Sequence, residues 1–327
     1  MSSPSYLDVY LGPYLEQLTR PDVTDLYVNR SGELWVETLR GGLERHIVDA
    51  ITEEQLWRLA RQVASISHQG VSRQHPLLAA RLPDGARVQI VAPPAARNGV
   101  VMAIRKHVSS DLALSDYENG GAFSDTVGGE ANDDVHAELT RLYEERDWGG
   151  FLRIAVRARR TIIVSGGTST GKTTFLNALL REVDPRERLV LIEDTPELVL
   201  RHENAVGLIA VRGDLAEADV TMEDLLVASL RLRPDRIILG ELRGVEAFTF
   251  LRAINTGHPG SMTTIHADTP SGAIEQVVLL ALQSGSRLRR DDLLSYIDRV
   301  VDVVVQLDRR NGARRIAQVA WLRQPKA

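Results

Sequence analysis

Eight consecutive residues, Gly166-Gly167-Thr168-Ser169-Thr170-Gly171-Lys172-Thr173, fit the pattern G-x-x-x-x-G-K-[ST]. An apolar stretch, Thr161-Ile162-Ile163-Val164-Ser165, precedes them, and apolar residues at helical spacing follow over residues 173–182. A buried strand, a glycine-rich turn and a helix in that order restrict the fold severely. They form the repeating unit of a mostly parallel sheet with helices on both faces. The turn also carries chemistry. Small residues let successive backbone N–H groups turn inward around phosphate oxygens, and the helix start adds partial positive charge. Lys172 can then reach β- and γ-phosphates, the Thr173 hydroxyl can ligate Mg²⁺, and Thr174 lies nearest the α-phosphate. A bound nucleotide is the expectation.

Composition sharpens this reading. The chain of 327 residues has 36 arginines but only three lysines, Lys106, Lys172 and Lys326. A sequence that prefers arginine keeps lysine where a slim, flexible ammonium is needed and a planar fork does not fit. Cysteine is absent, which removes disulfide frameworks, thiolate zinc sites, cysteine nucleophiles and redox relays. A net charge of −5 argues against a surface that grips nucleic acid throughout. Basic clusters at Arg157, Arg159 and Arg160, at Arg287, Arg289 and Arg290, and at Arg309, Arg310, Arg314 and Arg315 lack interleaved aromatics for base stacking. They read as solvated faces, so no strong nucleic-acid binding is expected. No signal-peptide pattern opens the chain, and no apolar run approaches the roughly 18 residues of a membrane span. The expectation is an intracellular soluble chain without a transmembrane segment.

The length suits two domains. Residues 1–110 read as α+β, with a helical pattern over 6–18 interrupted at Gly12-Pro13. Hairpin patterns flank Arg30-Ser31-Gly32 and Pro83-Asp84-Gly85, and Thr52-Glu53-Glu54-Gln55 is a capping box. Residues 111–134, rich in glycine and small polar or acidic side chains, read as a linker. From 135 to 327 helix and strand alternate, and apolar runs at 300–307 and 316–322 read as two added edge strands. The fold class is α/β, a P-loop domain preceded by a smaller α+β domain.

Strand-end residues narrow the chemistry. Ile237-Ile238-Leu239-Gly240-Glu241 and Leu191-Ile192-Glu193-Asp194 are apolar strands that end in carboxylates. Carboxyl ends of neighbouring parallel strands converge on one crevice. Glu241 and Glu193 are therefore expected to activate water and, with Thr173, to serve the metal. Gly240 occupies a position where aspartate is usual, so the metal takes no ligand there. Either carboxylate can instead cap a helix or pair with an arginine, and the same choice is open for Asp194 and Glu197. Residues 261–265 deliver His266 to the same crevice as a γ-phosphate contact, whereas Gly257-His258-Pro259-Gly260 makes a turn.

Residues 166–174, 192–198, 230–244 and 255–267 resemble, in order and spacing, the four signature boxes of the secretion traffic ATPases. The block 67–95, with Pro76-Leu77-Leu78 and Arg87-Val88-Gln89-Ile90-Val91-Ala92-Pro93-Pro94, most resembles the VirB-type traffic ATPases of type IV secretion and conjugation systems. The resemblance implies a RecA-like ATPase domain after a PAS-like N-terminal domain, a homohexameric ring, and ATP with Mg²⁺ between the domains. Arginines of the N-terminal domain and of a neighbouring subunit would reach the phosphates, and Arg87, Arg105 and Arg231 sit at matching positions. The implied role is ATP hydrolysis driving export or pilus assembly, at the cytoplasmic face of the inner membrane beside other subunits of the machine. Ser169-Thr170 departs from a common Gly-Ser, and the connector 111–134 resembles longer-linker members in which adjacent subunits swap domains. Three alternatives remain: a pilus or type II assembly ATPase, a nucleotide-gated docking ring with incidental turnover, and a nucleic-acid motor. The missing cysteines count against the type II enzymes, which typically carry a four-cysteine metal element.

Overall fold

Alternating apolar residues near the N-terminus build one antiparallel sheet, and continuous aliphatic runs after residue 160 build a second, mostly parallel one. The computed structural model describes residues 6–39, 41–106, 113–119, 121, 123–124, 126, 134–213 and 215–323. The first sheet has strand order β3-β2-β1-β6-β5-β4. Its strands are β1 (Val23–Val28), β2 (Glu33–Thr38), β3 (Leu43–Ile47), β4 (Leu77–Arg81), β5 (Arg87–Val91) and β6 (Val101–Arg105). Helices α1 (Tyr6–Thr19) and α2 (Glu53–Ile66) pack on it.

The central strands β2, β1, β6 and β5 are buried on both faces, and the period of two decides which side chain goes where. Leu26, Val28, Leu34, Val36, Met102 and Ile104 join the core under α1 and α2. Their neighbours Tyr27, Trp35, Val101 and Ala103 join the core of the second sheet. Two local expectations change. Helix α1 runs straight through Gly12-Pro13, because Leu7, Leu11 and Tyr14 hold its buried face in place. The capping box closes only by half: Thr52 accepts from the Gln55 amide at 3.1 Å. The Gln55 side chain instead donates to the Tyr10 carbonyl at 2.6 Å and accepts from Tyr14 Oη at 2.9 Å. That half of the box ties α2 to α1.

Of the expected linker 111–134, most lies outside the described residues; within it α3 (Leu114–Asn119) is helical. The second sheet has order β13-β12-β7-β11-β10-β8-β9. It comprises β7 (Ile162–Gly166), β8 (Leu189–Glu193), β9 (Ala205–Ile209), β10 (Arg236–Leu239), β11 (Met262–Ile265), β12 (Val303–Arg310) and β13 (Ala313–Trp321). Helices α4 (Asp134–Glu144), α5 (Trp148–Arg157) and α6 (Lys172–Leu179) share the core of one face. Helices α7 (Met222–Ser229), α8 (Glu246–Asn255), α9 (Pro270–Leu282) and α10 (Arg290–Val300) share that of the other. All pairings are parallel except β12 with β13. Strand β12 is therefore not an edge strand, as its sequence suggested: it pairs with β7, and β13 takes the edge.

The first sheet is fastened to the second at β9. Ala96 bridges to Leu208, the Arg97 amide donates to the Gly207 carbonyl at 2.9 Å, and Ile209 donates to the Ala95 carbonyl at 2.8 Å. Arg188, at the entry to β8, is buried with its guanidinium 4.1 Å from the Tyr27 ring centroid and donates to Asn29 Oδ1 at 2.7 Å. Burial pulls its pKa down to about 10.

A second buried arginine organises the base of the parallel sheet. Arg236 is fully buried, and its Nε and Nη2 donate to the two Glu187 oxygens at 2.7 and 2.6 Å. Its Nη1 reaches the Val156 carbonyl at 2.8 Å. Removing one partner of a buried pair leaves an uncompensated charge, at a cost of ~3 kcal/mol or more. Glu187→Ala is therefore expected to lower the thermal unfolding midpoint by several degrees, with Glu187→Gln milder; an unchanged midpoint would contradict the assignment.

Candidate active site

The loop between β7 and α6 owes its shape to residues that cannot be replaced freely. A Cβ on Gly166 would fall 2.5 Å from Thr170 Oγ1 and 2.9 Å from the Leu307 carbonyl, so only glycine fits. Thr170 Oγ1 donates back to the Gly167 carbonyl at 2.9 Å and holds the turn closed. Gly171 is the N-cap of α6 at φ 92°. Ser169 stands at φ 60°, in the left-handed region that favours glycine. Its departure from Gly-Ser thus costs the loop ~1 kcal/mol, while Thr168 and Ser169 stay exposed.

Parallel pairing brings the predicted partners to this loop. Residue pairs Ser165–Ile265 and Leu239–Thr263 bring the ends of β7, β11 and β10 level. Lys172 is 8% exposed and donates to the Gly166 and Gly167 carbonyls at 2.9 and 3.1 Å. Burial lowers its pKa, against the opposing pull of Glu241. Its Nζ lies 3.3 Å from His266 Nε2, which lies 3.0 Å from Glu241 Oε1. Glu241 Oε2 accepts from Arg243 at 2.7 Å, and Arg243 reaches Asp194 at 3.2 Å. The result is one chain of polar contacts across the crevice: Lys172, His266, Glu241, Arg243, Asp194.

A cleft of about 90 Å³ is lined by Thr173, Glu193, Glu197, Gly240, Glu241 and Arg243, among others. The hard oxygen donors Thr173, Glu193 and Glu241 suit Mg²⁺, which keeps waters and substrate phosphates as most of its ligands. No group of three or more His, Asp or Glu able to hold a metal occurs among the described residues. Gly240 is explained by Glu193: a Cβ there would fall 3.1 Å from Glu193 Cγ.

Glu193 itself is nearly fully buried and already engaged. Its Oε1 accepts the amides of Glu197 and Leu198 at 2.8 and 2.7 Å, and its Oε2 accepts from Arg97 at 3.1 Å. Burial raises its pKa, while the two amides and Arg97 pull it back. Capping and arginine pairing, the other outcome open for a strand-end carboxylate, are what Glu193 does here. Arg97 also donates to the Leu198 carbonyl at 3.0 Å. It comes from the segment after β5, and nothing in the sequence distinguishes it from 35 other arginines. His258 Nδ1 donates to the Pro234 carbonyl at 2.8 Å, consistent with its turn role.

Arg87, Arg105 and Arg231 do not join Lys172. They line a separate cavity of about 490 Å³ with Arg81 and Arg233. Arg81, Arg87 and Arg105 stand opposite one another across β4, β5 and β6. Arg231 precedes β10 and so lies at the amino end of the parallel strands, opposite to the phosphate loop. Strand direction thus sets these arginines apart from the phosphate loop of their own chain. Of them only Arg233 is ion-paired among the described residues, to Asp25 and Glu37 at 3.4 Å each. The basic clusters are mostly compensated: Arg157 pairs with Glu182, Arg159 with Glu187, Arg290 with Glu275 and Arg315 with Asp308.

The family described as type II/IV secretion system protein matches residues 131–326. VirB11 of the Bartonella henselae type IV secretion system is 36% identical over 326 residues, covering 95% of this chain and 91% of that protein. PtlH of Bordetella pertussis, also a type IV secretion system protein, is 38% identical, covering 97% of this chain and 95% of that one. The crystal structure of the VirB11 ATPase from the Brucella suis type IV secretion system, in complex with sulphate, superposes with a TM-score of 0.90. It is 35% identical and covers 97% of this chain and 98% of that chain. With the phosphate loop, the strand-end carboxylates and the antiparallel N-terminal sheet all present over that whole length, the chain belongs to the VirB11 family of type IV secretion ATPases.

Proposed function

We propose that this chain hydrolyses ATP in a homohexameric ring and that the resulting domain motion drives export by a type IV secretion machine. The observation that carries the reading is the line of polar contacts from Lys172 through His266 to Glu241 beside the phosphate loop, in a chain of this family. Lys172 and the loop amides neutralise the β- and γ-phosphates, aided by the N-terminus of α6. Glu241, held between His266 and Arg243, orients the attacking water and takes its proton. His266 contacts the γ-phosphate. Mg²⁺, when bound with the nucleotide, would be held by the Thr173 hydroxyl and by Glu241 and Glu193 through water, and would supply charge neutralisation.

The arginines enter from a neighbour. Three uncompensated cations facing one cavity, opposite to the phosphate loop of their own chain, support a ring in which each subunit presents Arg87, Arg105 and Arg231 to the next. An arginine supplied in this way is worth roughly 10³–10⁵ in turnover. The same contact would make the ring necessary for activity. Among the described residues no helix is long and apolar enough to cross a membrane. Attachment at the cytoplasmic face of the inner membrane then runs through other subunits of the machine.

Lys172→Ala and Glu241→Gln are each expected to abolish ATP hydrolysis and export, with Glu241→Gln still binding nucleotide. Export that survives in Glu241→Gln would favour the docking ring with incidental turnover. Mixing separately inactive Lys172→Ala and Arg105→Ala subunits tests the neighbour contact. In mixed rings roughly a quarter of the interfaces combine an intact phosphate loop with an intact arginine, so hydrolysis should return; a mixture as dead as its parents would place the arginine within its own chain.

Arg97 is proposed as a positioning residue for Glu193. Arg97→Ala removes one of the groups that lower the Glu193 pKa, so the carboxyl protonates at higher pH. The acid limb of the pH–kcat profile is expected to move to higher pH, and Arg97→Lys to restore it in part. An unmoved limb would mean that Arg97 only supports the fold.

A further inference from the structure

The hairpin of β12 and β13 overhangs the phosphate loop. Leu307 stands opposite Gly166 in the parallel ladder, and the chain continues three residues past it before turning at Asn311 and Gly312. Both turn residues have positive φ, 51° and 82°, as a tight two-residue hairpin requires. Four arginines crowd this hairpin. Arg315 makes a bidentate pair with Asp308 at 2.6 and 2.7 Å, Arg310 lies 3.9 Å from the same carboxylate, and Arg309 Nε donates to the Gly312 carbonyl at 3.2 Å.

Arg314 has no hydrogen bond or ion pair among the described residues, and it is exposed. It extends over Gly171. A Cβ built on that glycine would fall 3.1 Å from Arg314 Cδ and 3.7 Å from its Nε and Nη1. The guanidinium thus sits beside the first turn of α6, while the Asp308 carboxylate is taken by its neighbours Arg315 and Arg310. A cation at a helix N-terminus is repelled by the helix dipole. That placement is unfavourable alone and becomes favourable once an anion occupies the same space.

Sheet order says which part of the anion it meets. His266 and Glu241, on the side proposed for the γ-phosphate, follow β11 and β10, to one side of β7. Arg314 comes from β13, on the other side. We propose that Arg314 is a nucleotide-binding residue acting within its own chain, contacting the phosphates that ADP and ATP share. The inference rests on the nucleotide reading above, but not on the ring: Arg87, Arg105 and Arg231 act from a neighbour, and Arg314 does not. Its contact is the same before and after γ-phosphate cleavage. It therefore contributes uniform binding, which changes affinity and KM but not the chemical step.

The test measures Kd for a fluorescent ADP and for a non-hydrolysable ATP analogue, with Mg²⁺, on full-length wild type, Arg314→Ala, Arg314→Lys and Arg315→Ala. Arg314→Ala is expected to raise both Kd values about tenfold, the size of a lost charge-assisted hydrogen bond. It should raise KM in step and leave kcat within about twofold. Arg314→Lys should recover part of the affinity, and Arg315→Ala, which loses only its Asp308 pair, should bind as wild type does. Unchanged Kd values in Arg314→Ala overturn this proposal alone, as does a fall in kcat with Kd intact. Wild-type protein that binds neither nucleotide overturns the site reading and this inference together.

Discussion

Parallel pairing of β7 with β11 on one side and β12 on the other is the constraint from which the site follows. Parallel strands end at the same edge, so the loop after β7, Glu241 after β10, His266 after β11 and Glu193 at the end of β8 arrive together without contact in sequence. The arrangement demands glycine where backbones crowd. Gly166 packs against the Leu307 carbonyl of β12, and Gly240 leaves room for the Glu193 side chain. The same strand direction sends Arg231 to the opposite edge. A chain built in this way holds its phosphate loop and its arginine cluster at opposite edges, the two halves of the site proposed above.

The N-terminal sheet gives the second half its position. Because its central strands bury both faces, Leu26 and Met102 fasten α1 and α2, while Tyr27 and Ala103 fasten the sheet to the ATPase core. Arg188 under Tyr27 and the short β-like contact at Ala96 and Leu208 set the register between the two bodies. Arg97 then carries that register to Glu193, at the crevice wall. A shift of the N-terminal sheet against β9 must either break this ion pair or move the turn that Glu193 caps through the Glu197 and Leu198 amides. Both alter the cleft that Thr173 and Glu241 share. Domain position and site geometry are coupled through one guanidinium.

What was legible in the sequence is what backbone conformation dictates locally. The phosphate loop, the hairpins at Gly32 and Gly85 and the strand-end carboxylates are short-range patterns, and each occurs at its expected place. Helix α1 was misread at Pro13 because tertiary burial of Leu7, Leu11 and Tyr14 outweighs a local breaker. Strand β12 was misread as an edge because an apolar β-branched run does not reveal whether one neighbour or two will pair with it. The engagement of Glu193 with Arg97 spans 96 residues of sequence, and the opposed Arg87 and Arg105 belong to different strands. No local pattern encodes such contacts. With arginine so abundant, residue identity alone carries little information about them.

Compensation separates the arginines where identity does not. Arg236 is buried and paired with Glu187 and backbone carbonyls, and Arg188 is buried against Asn29, the Leu232 carbonyl and the Tyr27 ring, so both hold structure together. Arg157, Arg290 and Arg315 sit at the surface against carboxylates, where such pairs contribute less than ~1 kcal/mol. Arg87, Arg105, Arg231 and Arg314 have no ion pair among the described residues although each faces other cations or a helix N-terminus. Like charges opposed across strands destabilise a sheet, so Arg81, Arg87 and Arg105 weaken the free subunit that contains them. In the ring proposed above, a polyphosphate between two subunits would reverse that sign at both positions, and part of the resulting stabilisation would appear as subunit association. Nucleotide binding and ring assembly are then linked by the same uncompensated charge, so whatever tightens one must tighten the other.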